Sequence, residues 1–193
     1  MDVLKSIDSL VIREKKEYTG VPSTWKVRPE FCLSDSSEKE CFYLFSEKGT
    51  AQGFPALQES KSLTLYMTNT KGEEILYFEK KSGVLGIKME VYGSKENFLG
   101  AIQKKARSIR HTYEVQNPAG QTVYLIEGPA MMPEVFTITK QEVKVGRMSR
   151  KMTKQFEEGV SRQDHFSLIF PMGIDSQDKG VLLGGLILID LSH

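Results

Sequence analysis

At 193 residues, with 39% apolar and 26% charged side chains, the chain has the make-up of an ordinary globular protein of one domain or two small ones. The formal net charge is only +1, but residues 79–154 hold 14 Lys/Arg against 7 Asp/Glu, while the flanks hold 12 against 18. These figures exclude a disordered acidic or basic chain and mark one stretch as attractive to anions without naming the anion.

The first residues, MDVLKSIDSLVIREKKE, lack a basic segment followed by an apolar core, so no signal peptide is expected. Leu4, Ile7, Leu10 and Ile12 alternate loosely with polar residues and suggest a short helix leading into a strand at Ser9 to Arg13. Gly20, Pro22 and Pro29 punctuate a connection. From Trp25 onward the text reads strand, turn, strand: TWKVRPEFCL, the turn SDSSEKE, then CFYLFSEK. Cys32 and Cys41 fit free thiols in a reducing cytosol, a bridge between them being the alternative. A loop from Gly49 to Ser62 precedes SLTLYMTNTKGEEILYFEKK, with its turn at Asn69 to Gly72. KMEVYGSKENFLGAIQKK, HTYEVQNPAGQTVYLIEG and VFTITKQEVKVGRMSRK are further hairpins, and HFSLIFPMG supplies one more strand. Many short β-rich runs joined by turns predict an all-β barrel or sandwich, with Trp25, Phe42-Tyr43 and Tyr77-Phe78 as strand residues.

Two hairpins repeat. NTKGEEILYF and NPAGQTVYLI place Gly72 and Gly120 48 residues apart, and LGAIQKK and VGRMSRK place Gly100 and Gly146 46 apart. This predicts two related halves within one β-sheet, against the alternative of common hairpin grammar recurring.

The last stretch, Gly180 to Leu191 (GVLLGGLILIDL), is the most apolar run. Spanning a bilayer as a helix takes about 20 apolar residues, and this run is 12 long between Asp178-Lys179 and Asp190. It is read as a helix over about 179–191, sealed inside protein, with a central β-strand as the alternative. Gly184 and Gly185 are costly in a helix unless something packs on their bare backbone. The expected architecture is mainly β: a single domain, 1–193, in which a closed antiparallel barrel of two related halves wraps a buried C-terminal hydrophobic helix. Eight strands enclose little more than side chains, so the barrel needs more.

Lys and Arg are grouped as Lys80-Lys81; Lys104, Lys105, Arg107 and Arg110; and Arg147, Arg150, Lys151 and Lys154. The second and third groups follow the repeated hairpins, so the fold could bring them together as an anionic-ligand surface; a solvated face is the alternative. His111, His165 and His193 form no constellation, and no nucleophile elbow, phosphate-cradling loop or metal-ligand spacing is present, so no enzyme is expected.

IDSLVIREKKE, LTLYMTNTKGEEILYFEKK, YEVQNPAGQTVYLIEGP, VGRMSRK, HFSLIFP and KGVLLGGLILID together resemble the phospholipid scramblase family, within the wider tubby-like group, over nearly the whole chain. The resemblance implies a closed barrel around a C-terminal hydrophobic helix and calcium-dependent transbilayer movement of phospholipids. It implies headgroup binding to anionic phospholipids or phosphoinositides by Lys104, Lys105, Arg107, Arg110, Arg147, Arg150 and Lys151. The family's calcium segment falls on RQDHFSLIFPMGID, where Asp164 and Asp175 match acidic positions while Arg162 and Gly173 stand where acids are usual. Calcium takes 6–8 oxygen ligands, so weak or absent calcium binding is expected, with Asp164 and Asp175 as turn residues the alternative. The family's proline-rich extension and lipid-carrying cysteine cluster have no counterpart; EKKSGVLGIKMEVYG stands in the cluster's place. The implied setting is cytoplasmic, peripheral at the inner face of the plasma membrane without a transmembrane span, the nucleus being a second compartment. A lipid-binding or regulatory interaction protein that does not scramble is the competing function, with protein partners in place of lipid; nucleic acid is not the expected partner.

Overall fold

The structure, a computed structural model, describes residues 2–15, 29–46, 63–83, 86–106, 108–131, 134–152 and 164–192, excluding the side chains of residues 151, 152, 164 and 165. A short 3-10 helix, Asp2–Leu4, leads into twelve strands. These are β1 (Ser9–Glu14), β2 (Phe31–Ser34), β3 (Glu40–Ser46), β4 (Leu63–Asn69), β5 (Glu74–Gly83) and β6 (Gly86–Gly93), then β7 (Phe98–Lys104), β8 (His111–Gln116), β9 (Thr122–Gly128), β10 (Val135–Lys140), β11 (Val143–Met152) and β12 (Asp164–Ile169). Each strand pairs antiparallel with its neighbour in sequence, and β1 pairs with β12 to close the barrel. Trp25 and Lys154 lie outside the described residues.

Helix α1 (Ser176–Asp190) runs up the middle. It starts three residues before the apolar run suggests. Asp175 caps it, its Oδ1 accepting the Asp178 N–H at 2.8 Å, so a polar first turn is helical too. Every residue from Lys179 to Ile189 is buried. The glycines take the close approaches that their cost demands. A Cβ on Gly184 would stand 2.7 Å from Val91 Cγ2 and 2.8 Å from Ile102 Cδ1, and one on Gly185 would stand 2.9 Å from Ile126 Cδ1. The inner faces of the strands complete one continuous core with the helix, from Leu4 and Leu10 through Phe78, Ile102 and Phe136 to Leu168.

The two rims differ. At the near rim, where α1 begins, the strands are joined by tight turns. Four of these share one hydrogen-bond pattern: the first residue (Asp35, Asn69, Gly93 or Asn117) donates its N–H to the carbonyl four residues on, and its own carbonyl accepts the N–H of the fourth residue. That fourth residue is Glu38, Gly72, Glu96 or Gly120, with φ of 63°, 83°, 60° and 78°. A register shift stands beside each turn, the mark of a turn closed by a bulge that increases local twist. The Asn69 and Asn117 turns also match in their side chains, each Oδ1 accepting the N–H four residues on. The sequence repeat is therefore carried by β4–β7 and β8–β11, with β1–β3 and β12 completing the circuit. At the far rim, where α1 ends, the described connecting residues are 15 with 29–30, 105–106 with 108–110, and 129–131 with 134.

Candidate functional site

The register decides which way each basic residue faces. On β7, Ile102 points inward, so Lys104, two residues on, takes an inward position at the far rim and Lys105 an outward one. Lys104 stands opposite Tyr113, whose fully buried phenol is pushed up to about 12 by burial. On β11 the repeat places Arg150 in the same role, opposite Phe166, with its guanidinium 5.7 Å from that ring's centre. Lys80, 2% exposed, is the inward residue of β5 one step beyond Phe78. Because Gly184 packs at the level of Phe78 and Ile102, these three cations come level with the last turn of α1. That turn has no basic residue of its own, and cations near a helix C-terminus are favourable.

Lys104, Lys105 and Arg110 come together. They line a far-rim pocket of about 320 Å³ with Gly86, Ile87, Ala106, Ser108, Ile109, His111 and Ala130. Ser108 and Thr112 hydroxyls, 3.0 Å apart, brace the loop, and the Arg110 N–H donates to Ser108 Oγ at 3.3 Å. Lys105 pairs with Glu114 at 2.7 Å; among the described residues no carboxylate pairs with Lys104 or Arg110. The pocket therefore gathers three basic residues, one of them ion-paired, beside the Ser108 hydroxyl, a setting that suits an anionic oxygen-rich group. A second depression of about 580 Å³ adjoins it, sharing Ile109, Arg110 and Ala130. The sequence did not point to Ile109 or Ala130; the signal was a lone isoleucine between Ser108 and Arg110 in a polar connection.

Arg147 and Arg150 are not part of this pocket. Following the register, Lys105, Thr112, Glu127, Thr137 and Arg147 form one transverse row. Four strand spacings, about 19 Å, thus separate the two basic groups, with Glu127 between them. Arg147 is exposed on the outer wall. Arg107 and the side chain of Lys151 lie outside the described residues.

Asp164 opens β12 at the far rim, and Asp175 caps α1 at the near rim. A six-residue strand, roughly 20 Å, stands between them, so one ion with ligands at about 2.3–2.6 Å cannot take oxygens from both. The Asp164 side chain is outside the described residues. Among the described residues no group of three or more His, Cys, Asp or Glu could hold a metal ion. Cys32 and Cys41 are free. Burial first, and Glu40 beside it, push the Cys32 thiol up to about 11, which makes it a poor nucleophile.

The geometry defines a class: a closed antiparallel barrel plugged by an apolar helix, with a cationic pocket on one rim. The scramblase family model matches residues 1–193, and the chain belongs to the scramblase family. It is 20% identical over 205 residues to phospholipid scramblase 1 of Homo sapiens, covering 98% of this chain and 64% of that protein. It is 21% identical to phospholipid scramblase 2 of Bos taurus, covering 98% and 69%. The chain thus spans a little under two thirds of the length of the human relative. Among solved structures, a protein of Arabidopsis thaliana shares the fold with a TM-score of 0.52 at 10% identity, over 94% of this chain and 91% of that one.

Proposed function

We propose that the chain is a peripheral phospholipid-binding member of the scramblase family, which holds headgroup phosphates of an anionic leaflet with Lys104, Lys105 and Arg110 and does not itself carry lipid across. The observation that carries this reading is α1. Its residues Lys179–Ile189 are buried on every side by the barrel, and among the described residues no helix is long and apolar enough to cross a membrane. A barrel that spans a membrane with its strands turns apolar side chains outward and polar ones inward. This one does the reverse: Glu79, Lys81, Lys88, Glu90, Glu127 and Arg147 occupy outward positions, and the inner faces are apolar except for Lys80, Lys104 and Arg150 towards the far rim. A headgroup crossing about 30 Å of hydrocarbon needs protein that stays in the bilayer, and a barrel whose outer wall is charged is not stable there.

Anionic lipid at the cytoplasmic face of the plasma membrane is the matching surface, since each Lys or Arg near it contributes about 1 kcal/mol. The reading includes no catalysis and no calcium requirement, the two acidic positions being a strand's length apart. The test is sedimentation with phosphatidylcholine vesicles with and without phosphatidylserine or phosphoinositide, beside a fluorescent-lipid flip assay with and without calcium. Binding to the anionic vesicles that weakens with salt, without flip, is expected. Retention by neither vesicle at low salt overturns the reading, as does protein-dependent flip.

A further inference from the structure

Two large apolar side chains stand almost fully in solvent on neighbouring far-rim connections: Ile109 is 92% exposed and Met131 84% exposed, with Val135 beside them at 49%. Because β8 and β9 are paired strands, with His111 opposite Gly128, the two connections project side by side. Ile109 and Ala130, the neighbour of Met131, share the lip of the cationic pocket with Arg110. Exposed apolar tips rimmed by cations match the membrane interface, where apolar groups enter the acyl boundary and Lys or Arg meet the headgroups.

Charge separates this rim from the other one. The near rim also exposes apolar residues, Met172 at 99% and Val143 at 64%. Its segments 2–8, 35–39, 69–74, 93–97, 117–121, 141–142 and 170–175, however, hold nine Asp/Glu against four Lys, which an anionic leaflet repels. We infer that the barrel docks end-on, far rim down, with Ile109 and Met131 inserted into the lipid interface and Lys104, Lys105 and Arg110 at headgroup level. This orientation rests on the lipid-binding reading above and adds to it the docking end and the inserting residues.

Tryptophan placed at Ile109 or at Met172, each compared with the parent chain and its single Trp25, reads the orientation on vesicles of phosphatidylcholine and phosphatidylserine carrying brominated acyl chains. The expected result is a blue shift and strong quenching for Ile109→Trp and neither for Met172→Trp. A second variant needs no probe: Ile109→Asp with Met131→Asp is expected to weaken vesicle binding at least roughly tenfold with an unchanged unfolding midpoint. Quenching at Met172, or vesicle binding that neither tryptophan nor the double aspartate senses, overturns the end-on orientation and leaves lipid binding standing. Failure of the parent chain to bind vesicles overturns both. Retention only by a protein partner, with no vesicle affinity, counts as that second failure.

Discussion

The ammonium of Lys179 donates to the carbonyl oxygen of Ile7 at 2.6 Å. The same nitrogen reaches the carbonyls of Leu4 and Lys5 at 3.1 and 2.9 Å and lies 5.4 Å from the centre of the Phe170 ring. The lysine is 4% exposed, so three backbone acceptors satisfy a buried charge and lock the N-terminal segment over the start of α1. Lys179→Met strands those carbonyls and is expected to cost about 2–4 kcal/mol. Urea unfolding measures the loss, and limited proteolysis shows early cleavage before Ile7; an unchanged midpoint contradicts it.

Gly184→Ala sets two effects against each other. Helix propensity gains about 1 kcal/mol, but the new methyl would enter at 2.7–2.8 Å from Val91 and Ile102, and overpacking costs about 1–3 kcal/mol. Net destabilisation is expected at this site. A higher melting temperature for Gly184→Ala would show that α1 is free to shift in the barrel.

The near-rim turns offer a backbone test free of packing. A Cβ on Gly120 meets nothing within 4 Å, so Gly120→Ala is penalised only by its φ of 78°. The cost is expected to be about 1 kcal/mol. Glu96, at φ 60° in the equivalent position, is expected to behave oppositely, Glu96→Gly leaving stability unchanged or raised in the same denaturant titration.

Burial pushes the Glu90 carboxyl up, but hydrogen bonds from Lys81, Lys88 and Tyr92 outweigh it and hold the group at about 2 against an ordinary 4.5. Its contribution to stability is therefore complete above about pH 4.5 and is lost as pH falls towards 2. Glu90→Gln is expected to lower the unfolding midpoint at neutral pH and to flatten the acid loss across that window, the two curves converging near pH 2. Parallel curves would contradict this.

Asp175→Ala removes a helix cap and is expected to cost about 0.5–2 kcal/mol. The loss should be equal in calcium and in chelator, because the carboxylate's described role is to accept the Asp178 N–H. A melting temperature that calcium raises in the parent chain and not in the variant would revive Asp175 as a ligand.

The helix was legible because nothing polar interrupts Gly180 to Ile189, a run too long for a comfortable strand and too short for a bilayer. Its start was not, because Ser176, Gln177 and Asp178 look like loop until Asp175 is recognised as a cap. The turn repeat was legible from Asn69 and Gly72 against Asn117 and Gly120, while its extension to Asp35-Glu38 and Gly93-Glu96 was hidden by glutamates in a conformation that glycine favours. Charge density was legible and its direction was not. A bulge shifts register by one residue and flips every later side chain, so the inward positions of Lys80, Lys104 and Arg150 needed the strand pairing. The 19 Å between Lys105 and Arg147 needed the order of the strands.

Since β1 finds its second partner only in β12, and α1 follows both, the ribosome delivers the plug after every wall that must close on it. A nascent chain therefore holds the greasy sides of β2–β11 uncovered through most of its synthesis, with two open sheet margins available to other chains. Translation halted before Ser176 should yield not a looser barrel but an aggregating ribbon, exposed until the fifteen helical residues arrive.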